Sequence, residues 1–142
     1  KMNAKIQLVK TEADYNTVLG IRRTVFIEEQ NVPESLEIEN EDASFHVLAL
    51  YGNFPVGTGR WRKTSKGYKL ERFAVLESER GKGYGNYVLT AILKDLRDYA
   101  GLIYMHAQEQ VVPFYEKLGF KKEGEEFEEA GIMHFKMYLK NN

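Results

Sequence analysis

Apolar and polar residues alternate along several short runs of this chain, which predicts half-buried β-strands. Glycine, proline, asparagine and serine cluster between the runs and mark turns. The run AKIQLVK opens the series, and the alternation of Met133, Phe135, Met137 and Leu139 closes it. Strands are predicted at residues 4–10, 44–51, 56–64, 68–76, 102–107, 120–126 and 132–139.

Helical spacing of apolar residues separates these strands in three places. Thr11 or Asp14 can cap the first helix, and that helix ends before Asn31-Val32-Pro33 because the residue preceding a proline avoids helical geometry. The second helix runs to about Ala100, and the third covers residues 109–118. The acidic segment between the first helix and the second strand is predicted to form a short helical turn or a loop.

The predicted element order is β α (α) β β β α β α β β. Three strands in quick succession favour an antiparallel meander, whereas strand–helix–strand across residues 68–107 implies a parallel crossover. The sequence therefore predicts one α/β (α+β) domain over residues 1–142. Its sheet is expected to be mixed, mostly antiparallel and six- to seven-stranded, with helices on both faces.

The composition of the chain limits the kinds of function that it can have. The formal net charge of −1 gives no reason to expect a nucleic-acid partner. The absence of cysteine excludes disulfides, thiolate metal sites and cysteine nucleophiles, and it fits a reducing compartment. No apolar run approaches the ~18 residues of a membrane span. We expect a cytoplasmic protein without a membrane partner.

The segment ERGKGYGNY places three glycines directly before the second helix. It does not match a Walker A loop, and Gly81-x-Gly83-x-Gly85 is one residue tighter than a Rossmann fingerprint. Read as Arg80-x-x-Gly83-x-Gly85, the loop would leave the backbone N–H groups of a helix N-terminus open to an anion. Arg80 and Lys82 would add positive charge. A glycine-rich turn without a ligand stays an alternative.

At this point the chain resembles the GNAT superfamily, the GCN-type N-acetyltransferases. Arg80-x-x-Gly83-x-Gly85 is similar to the family's R/Q-x-x-G-x-G/A pyrophosphate motif. VPFYEKLGF, at residues 112–120, is similar to a second signature, an aromatic pair followed by x-x-x-G-F. The element order agrees along essentially the whole chain. The segments IRRTVFIEEQNVP and GRWR resemble a branch of bacterial GNAT proteins whose substrates are mostly unassigned.

The resemblance implies a sheet splayed open between its fourth and fifth strands, with acetyl-CoA in the opening and no metal. Backbone groups of Phe73 and Val75 are then expected to pair with the pantetheine arm. Gln108 stands where the family commonly has asparagine. The cofactor-contacting residues implied are Phe73, Ala74, Val75, Arg80, Gly81, Lys82, Gly83, Tyr84, Gly85, Asn86, Gln108, Phe114 and Tyr115.

Acetyl transfer to an amine needs a base for the amine proton, donors for the oxyanion and a proton for the departing thiolate. Tyr115 matches the family's tyrosine that protonates the thiolate. The alternative is that Tyr115 is only an aromatic residue packed beside Phe114. A backbone N–H of Phe73 or Val75 is expected to polarise the thioester carbonyl.

Two residues are candidates for the base. Glu71 lies two residues before Phe73 and shares its face if no bulge intervenes, but Glu71-Arg72 could equally form a structural ion pair. His106 lies at the end of the fifth strand and can accept a proton near neutral pH. The alternative for His106 is a strand-end histidine whose ring bonds to backbone groups.

The resemblance therefore implies transfer of an acetyl group from acetyl-CoA to a primary amine of a small molecule or peptide, by direct attack in a ternary complex. A noncatalytic acyl-CoA-binding module is the alternative. Acidic residues at Glu28, Glu29, Glu37 to Asp42 and Glu125 to Glu129 suit a cationic acceptor or form a solvated surface. The sequence is compatible with a monomer or a homodimer.

Overall fold

The computed structural model describes residues 4–140, except for the side chain of Lys140. A seven-stranded sheet runs through this part of the chain. Its order is β1-β2-β3-β4-β5-β7-β6, and the pairs are antiparallel except for β4 with β5. The strands are β1 Ala4–Leu8, β2 Ser44–Tyr51, β3 Phe54–Thr64, β4 Gly67–Val75, β5 Leu102–Gln108, β6 Lys121–Glu129 and β7 Ile132–Lys140. The predicted meander and parallel crossover are both confirmed.

The helices are α1 Glu12–Arg22, α2 Glu34–Glu37, α3 Tyr84–Asp95 and α4 Val112–Glu116. Thr11 caps α1, since its Oγ1 accepts a hydrogen bond of 3.1 Å from the Asp14 amide. α1 continues into a π-helical turn at Arg23–Glu29, which the sequence did not predict. Such wider turns occur frequently at functional sites.

Helices cover both faces of the sheet, because alternate strand residues point to opposite sides. Leu48 of β2 packs with Val18 of α1, whereas its neighbour Val47 packs with Val88 of α3. All four side chains are buried. The α1 face and the α3 face of the sheet are named after these helices below.

Two helices differ from the prediction. α3 ends at Asp95, five residues before Ala100, and the chain then turns so that the Tyr99 ring packs edge-on against Tyr68 at 4.5 Å. The predicted third helix divides into a 3₁₀ turn and the short α4, which Gly119 follows at φ 97°. Within residues 4–140, no helix is long and apolar enough to cross a membrane.

The sheet opens between β4 and β5. Their parallel pairing consists of Tyr68 with Ile103 and Lys69 with Tyr104, and no later residues of the two strands pair. The rest of β4 and β5 therefore diverges. This confirms the predicted splay between the fourth and fifth strands.

Candidate active site

A cavity of about 580 Å³ occupies the opening between β4 and β5. One wall is the C-terminal half of β4, and the opposite wall is β5 from Met105 to Gln108. Tyr115 and Phe114 of α4 line one end, and the π-helical turn and the β6–β7 hairpin contribute the rest. The cavity brings together β4, β5 and α4, which carry most of the residues proposed from the sequence.

The glycine loop presents free backbone amides beside this cavity. Gly81 and Gly83 adopt positive φ values of 78° and 91°, and Gly83 forms the N-cap of α3. The amides of residues 81–86 donate to no backbone carbonyl among the described residues. Arg80 and Gly85 line the cavity itself. The arrangement suits an anion, because unpaired amides and the positive end of a helix dipole converge there.

The two basic side chains of the loop are engaged by glutamates. Arg80 donates from both terminal nitrogens to Glu29 at 2.9 and 2.8 Å, and from Nε to the Val75 carbonyl at 2.9 Å. The hydrogen bond to Glu29 raises the pKa of Arg80. Lys82 pairs with Glu79 at 3.2 Å. Arg80 thus ties the π-helical turn to the end of β4, a connection that the sequence did not indicate.

Tyr115 is buried among aromatic rings at the end of the cavity. Ring centroids of Phe73, Phe114 and Phe120 lie 6.2, 5.2 and 6.0 Å from its own. Burial raises the pKa of the Tyr115 hydroxyl. That hydroxyl has no hydrogen-bond partner among residues 4–140. Tyr115 is therefore protonated at neutral pH, and its hydroxyl proton is not donated to any described group.

A β-bulge in β4 changes the expected placement of Glu71. β3 pairs with β4 at Thr58–Ala74 and at Arg60–Glu71, so Arg72 and Phe73 lie opposite Gly59 alone. Arg72 has a φ of 59°. A bulge adds one residue and shifts the alternation of side chains. Phe73 consequently packs on the α3 face and Glu71 points to the α1 face, which corrects the expectation that they share a face.

Glu71 lies at the centre of a cluster of cations. Its carboxylate bonds Arg60 Nη2 at 2.5 Å and Arg62 Nε at 2.8 Å, and it lies 3.3 Å from Lys69 Nζ. Burial alone raises the pKa of Glu71, but these cations outweigh it and lower the pKa to about 2. A carboxylate held this firmly in its ionised form is a poor proton acceptor. The geometry therefore favours a structural ion pair for Glu71. Its partners are Arg60, Arg62 and Lys69 rather than Arg72.

His106 faces the cavity from β5 and pairs with a carboxylate. Its Nδ1 lies 3.1 Å from Glu129 Oε2 of β6, and its ring meets the Phe127 ring edge-on at 5.0 Å. The hydrogen bond to His106 lowers the pKa of Glu129. When Nδ1 carries the proton donated to Glu129, Nε2 is left as the basic nitrogen. Glu129, rather than a backbone group, is thus the orienting partner.

Gln108 closes one side of the opening. Its Nε2 donates to Gln30 Oε1 at 2.9 Å, and its Oε1 accepts from Gln110 Nε2 at 3.0 Å. Gln30 directly follows the π-helical turn. The amide at this position therefore connects the end of β5 to the first helical segment.

A buried ion-pair network, defined here as Arg22, Glu37, Glu41, Arg60 and Glu71, underlies the α1 face. Arg22 Nε bonds Glu37 at 2.6 Å and Arg22 Nη2 bonds Glu41 at 2.9 Å. Arg60 bonds both Glu41 and Glu71. Two of the acidic residues proposed as an acceptor wall, Glu37 and Glu41, are therefore neutralised by arginines.

Comparison with known proteins gives consistent matches over nearly the whole chain. A family model described as an acetyltransferase (GNAT) domain matches residues 9–141. The uncharacterized N-acetyltransferase YjcF of Bacillus subtilis (strain 168) is 41% identical over 137 residues, covering 94% of this chain and 97% of the relative. The crystal structure of Escherichia coli ElaA superposes with a TM-score of 0.86 at 24% identity, covering 96% of this chain and 99% of that chain.

A solved structure with a bound ligand is also similar in fold. It is an aminoglycoside 6'-N-acetyltransferase complexed with coenzyme A, with a TM-score of 0.78 and 17% identity. The match covers 97% of each chain.

Acid unfolding tests the assignment of Glu71 to a structural ion pair. Because its pKa of about 2 lies below the ordinary value of 4.5, Glu71 stabilises the fold above pH 4.5 and loses that contribution as pH falls towards 2. We expect the wild-type free energy of unfolding, measured by urea titration, to fall by roughly 3 kcal/mol more over this interval than that of Glu71→Gln. Glu34→Gln, at an exposed pair with Arg23, is the matched control. Identical pH slopes for wild type and Glu71→Gln would contradict the assignment.

Proposed function

Since the chain belongs to the GNAT family of acetyltransferases, we propose that it moves an acetyl group from acetyl-CoA to a primary amine of a small molecule or peptide. The amine attacks the thioester directly in a ternary complex. One observation carries this function: the pairing of β4 and β5 stops at Lys69 and Tyr104. The resulting cavity reaches from the glycine loop to Tyr115.

The residues around the opening fit acetyl-CoA. The free amides of residues 81–86 would hold the diphosphate. Beyond Lys69, β4 has no strand on its β5 side, so its backbone groups there are available to the pantetheine amides as to an added strand. Val75 contributes its N–H rather than its carbonyl, which accepts from Arg80.

Gly85 gives an independent indication that the loop is shaped for a ligand. A Cβ placed there would come no nearer to the described residues than 4.0 Å, at Phe114 Cζ. The protein's own packing therefore does not require glycine at this position. The space that a side chain would fill opens into the cavity, where a bound diphosphate would lie.

Three groups carry out the steps of the proposed reaction. His106 Nε2 accepts a proton from the amine, with Glu129 holding the ring through Nδ1. The amine nitrogen then bonds to the acetyl carbon, a backbone N–H near Phe73 stabilises the oxyanion, and the C–S bond breaks. Tyr115 returns a proton to the departing thiolate. Glu71 is a weaker candidate for the base than His106, because it is already paired with cations.

A noncatalytic acyl-CoA-binding module would need the same opening but not the chemistry. Tyr115 lines the cavity, and its hydroxyl donates to no described residue. Its proton is therefore available to a departing thiolate, which favours the enzyme.

Replacing Tyr115 by phenylalanine removes the proposed acid and keeps the ring. We expect kcat to fall by roughly 100-fold, with acetyl-CoA affinity by titration calorimetry close to wild type. Tyr87→Phe, on an exposed ring of α3, is the control and keeps its rate. Unchanged turnover in a well-folded Tyr115→Phe preparation would remove Tyr115 from the mechanism.

A larger residue at Gly85 tests the loop as the diphosphate site. Glutamine is a better helix former than glycine, so Gly85→Gln should leave the free energy of unfolding equal or higher. We expect its dissociation constant for acetyl-CoA to rise about tenfold or more, because the side chain fills the diphosphate space. Gly20→Gln is the matched control, since Gly20 lies in α1 and a Cβ added to it would meet nothing within 4 Å. Wild-type affinity in Gly85→Gln would place the cofactor elsewhere.

A further inference from the structure

Positive charge exceeds negative charge where the cavity meets the α1 face of β3 and β4. Arg62 and Lys69, cross-strand neighbours on that face, both line the cavity. Together with Arg60 they converge on the single carboxylate of Glu71. Arg60 also shares Glu41 with Arg22. The cluster and its neighbours contain five cations, Arg22, Arg60, Arg62, Lys69 and Arg72, and four carboxylates, Glu37, Glu41, Glu71 and Glu129. One positive charge is therefore in surplus.

Arg62 has hydrogen-bond donors that no described residue uses. Its Nε bonds Glu71 at 2.8 Å, whereas its two terminal nitrogens donate to no group among residues 4–140. The side chain is 18% exposed, and that of Lys69 is 13% exposed. Both therefore lie largely inside the protein yet reach the cavity. A guanidinium with two free terminal nitrogens is shaped to bind a carboxylate through two parallel hydrogen bonds.

The other carboxylates around this end of the cavity are already engaged or screened. Glu37 pairs with Arg22 at 2.6 Å and lies 3.6 Å from Arg72. Glu129 bonds the His106 ring at 3.1 Å, and the cation that acts on its charge is Lys69. Glu39 lines the rim and is exposed to solvent, where water screens its charge. An acceptor with a second positive charge would thus meet little unpaired negative charge.

On the premise of the proposed function, we propose that the acceptor amine also carries a carboxylate, which binds Arg62 and Lys69 while the amine faces His106. Glu71 holds the two cations and Arg60 together in one cluster. The carboxylate supplies the missing negative charge, and the cluster discriminates against simple alkylamines and diamines by charge.

The geometry also sets the spacing between the two groups of the acceptor. Lys69 pairs with Tyr104 of β5, and His106, which faces the amine, lies two residues further along that unbulged strand on the same face. Two strand residues span roughly 6–7 Å. The amine and the carboxylate should therefore be separated by several methylene groups, as in 4-aminobutyrate or 5-aminopentanoate, rather than by one as in glycine.

The test uses three series of equal chain length: ω-amino acids, n-alkylamines and α,ω-diamines, each with acetyl-CoA and a thiol-release assay. We expect kcat/KM for 4-aminobutyrate or 5-aminopentanoate to exceed that for the matched alkylamine and diamine by at least tenfold. Arg62→Glu should reverse the order, so that the diamine becomes the better acceptor. Misfolding cannot produce such a reversal. Arg23→Glu, at an arginine 50% exposed and outside the cavity, should keep the wild-type order.

The outcomes separate this inference from the proposed function. If alkylamines or diamines are acetylated as well as amino acids by the wild type, the carboxylate inference is wrong and the transferase stands. If no amine is acetylated but 4-aminobutyrate raises the melting temperature of the CoA-loaded wild type and not of Arg62→Glu, the carboxylate site stands and the transferase fails. If neither turnover nor stabilisation occurs, both are wrong.

Discussion

The site depends on where the pairing of β4 and β5 stops. Two residue pairs hold the strands together, and beyond them each strand keeps backbone groups without a partner on the facing side. Unpaired backbone groups inside a protein are costly unless water or a ligand bonds them. The open sheet is therefore a structure that a strand-like ligand would complete. The glycine loop, Tyr115 and His106 all lie around this one break.

The buried ion-pair network is the second constraint. Arg22 and Glu37 have side chains that are 1% and 3% exposed, and removing one partner of such a pair leaves an uncompensated charge in the interior. The network joins α1, α2 and the middle of the sheet, and through Glu71 it reaches the cavity. Glu71 also holds Arg62 and Lys69 in place beside the cavity.

Much of the fold could be predicted because strand alternation and turn residues are local signals. β2 is found at Ser44–Tyr51, as predicted, and the glycine loop does precede α3. The end of α3 was missed because the residues after Asp95 keep an apolar pattern while they pack through a turn. The π-helical turn leaves no comparable mark in the sequence. Its amides simply bond one residue further back than in an α-helix.

The site was harder to predict because its partners are distant in the chain. The loop and Tyr115 belong to recognisable motifs, and the structure places both at the cavity. The bulge at Arg72 could not be predicted, and it moves Glu71 to the face opposite Phe73. The pairs Arg80–Glu29 and His106–Glu129 join residues 51 and 23 positions apart. A single sequence offers no signal for such pairs.

Residue-resolved amide hydrogen exchange with and without acetyl-CoA tests the central claim most directly. If the opening between β4 and β5 holds the cofactor, amides of Phe73 and Val75 and those of residues 81–86 should become protected together on addition of acetyl-CoA. Amides of β1, which lies at the far edge of the sheet and lines no part of the cavity, serve as an internal reference. Saturating binding without added protection at β4 and the glycine loop would contradict the placement of the cofactor and the mechanism built on it.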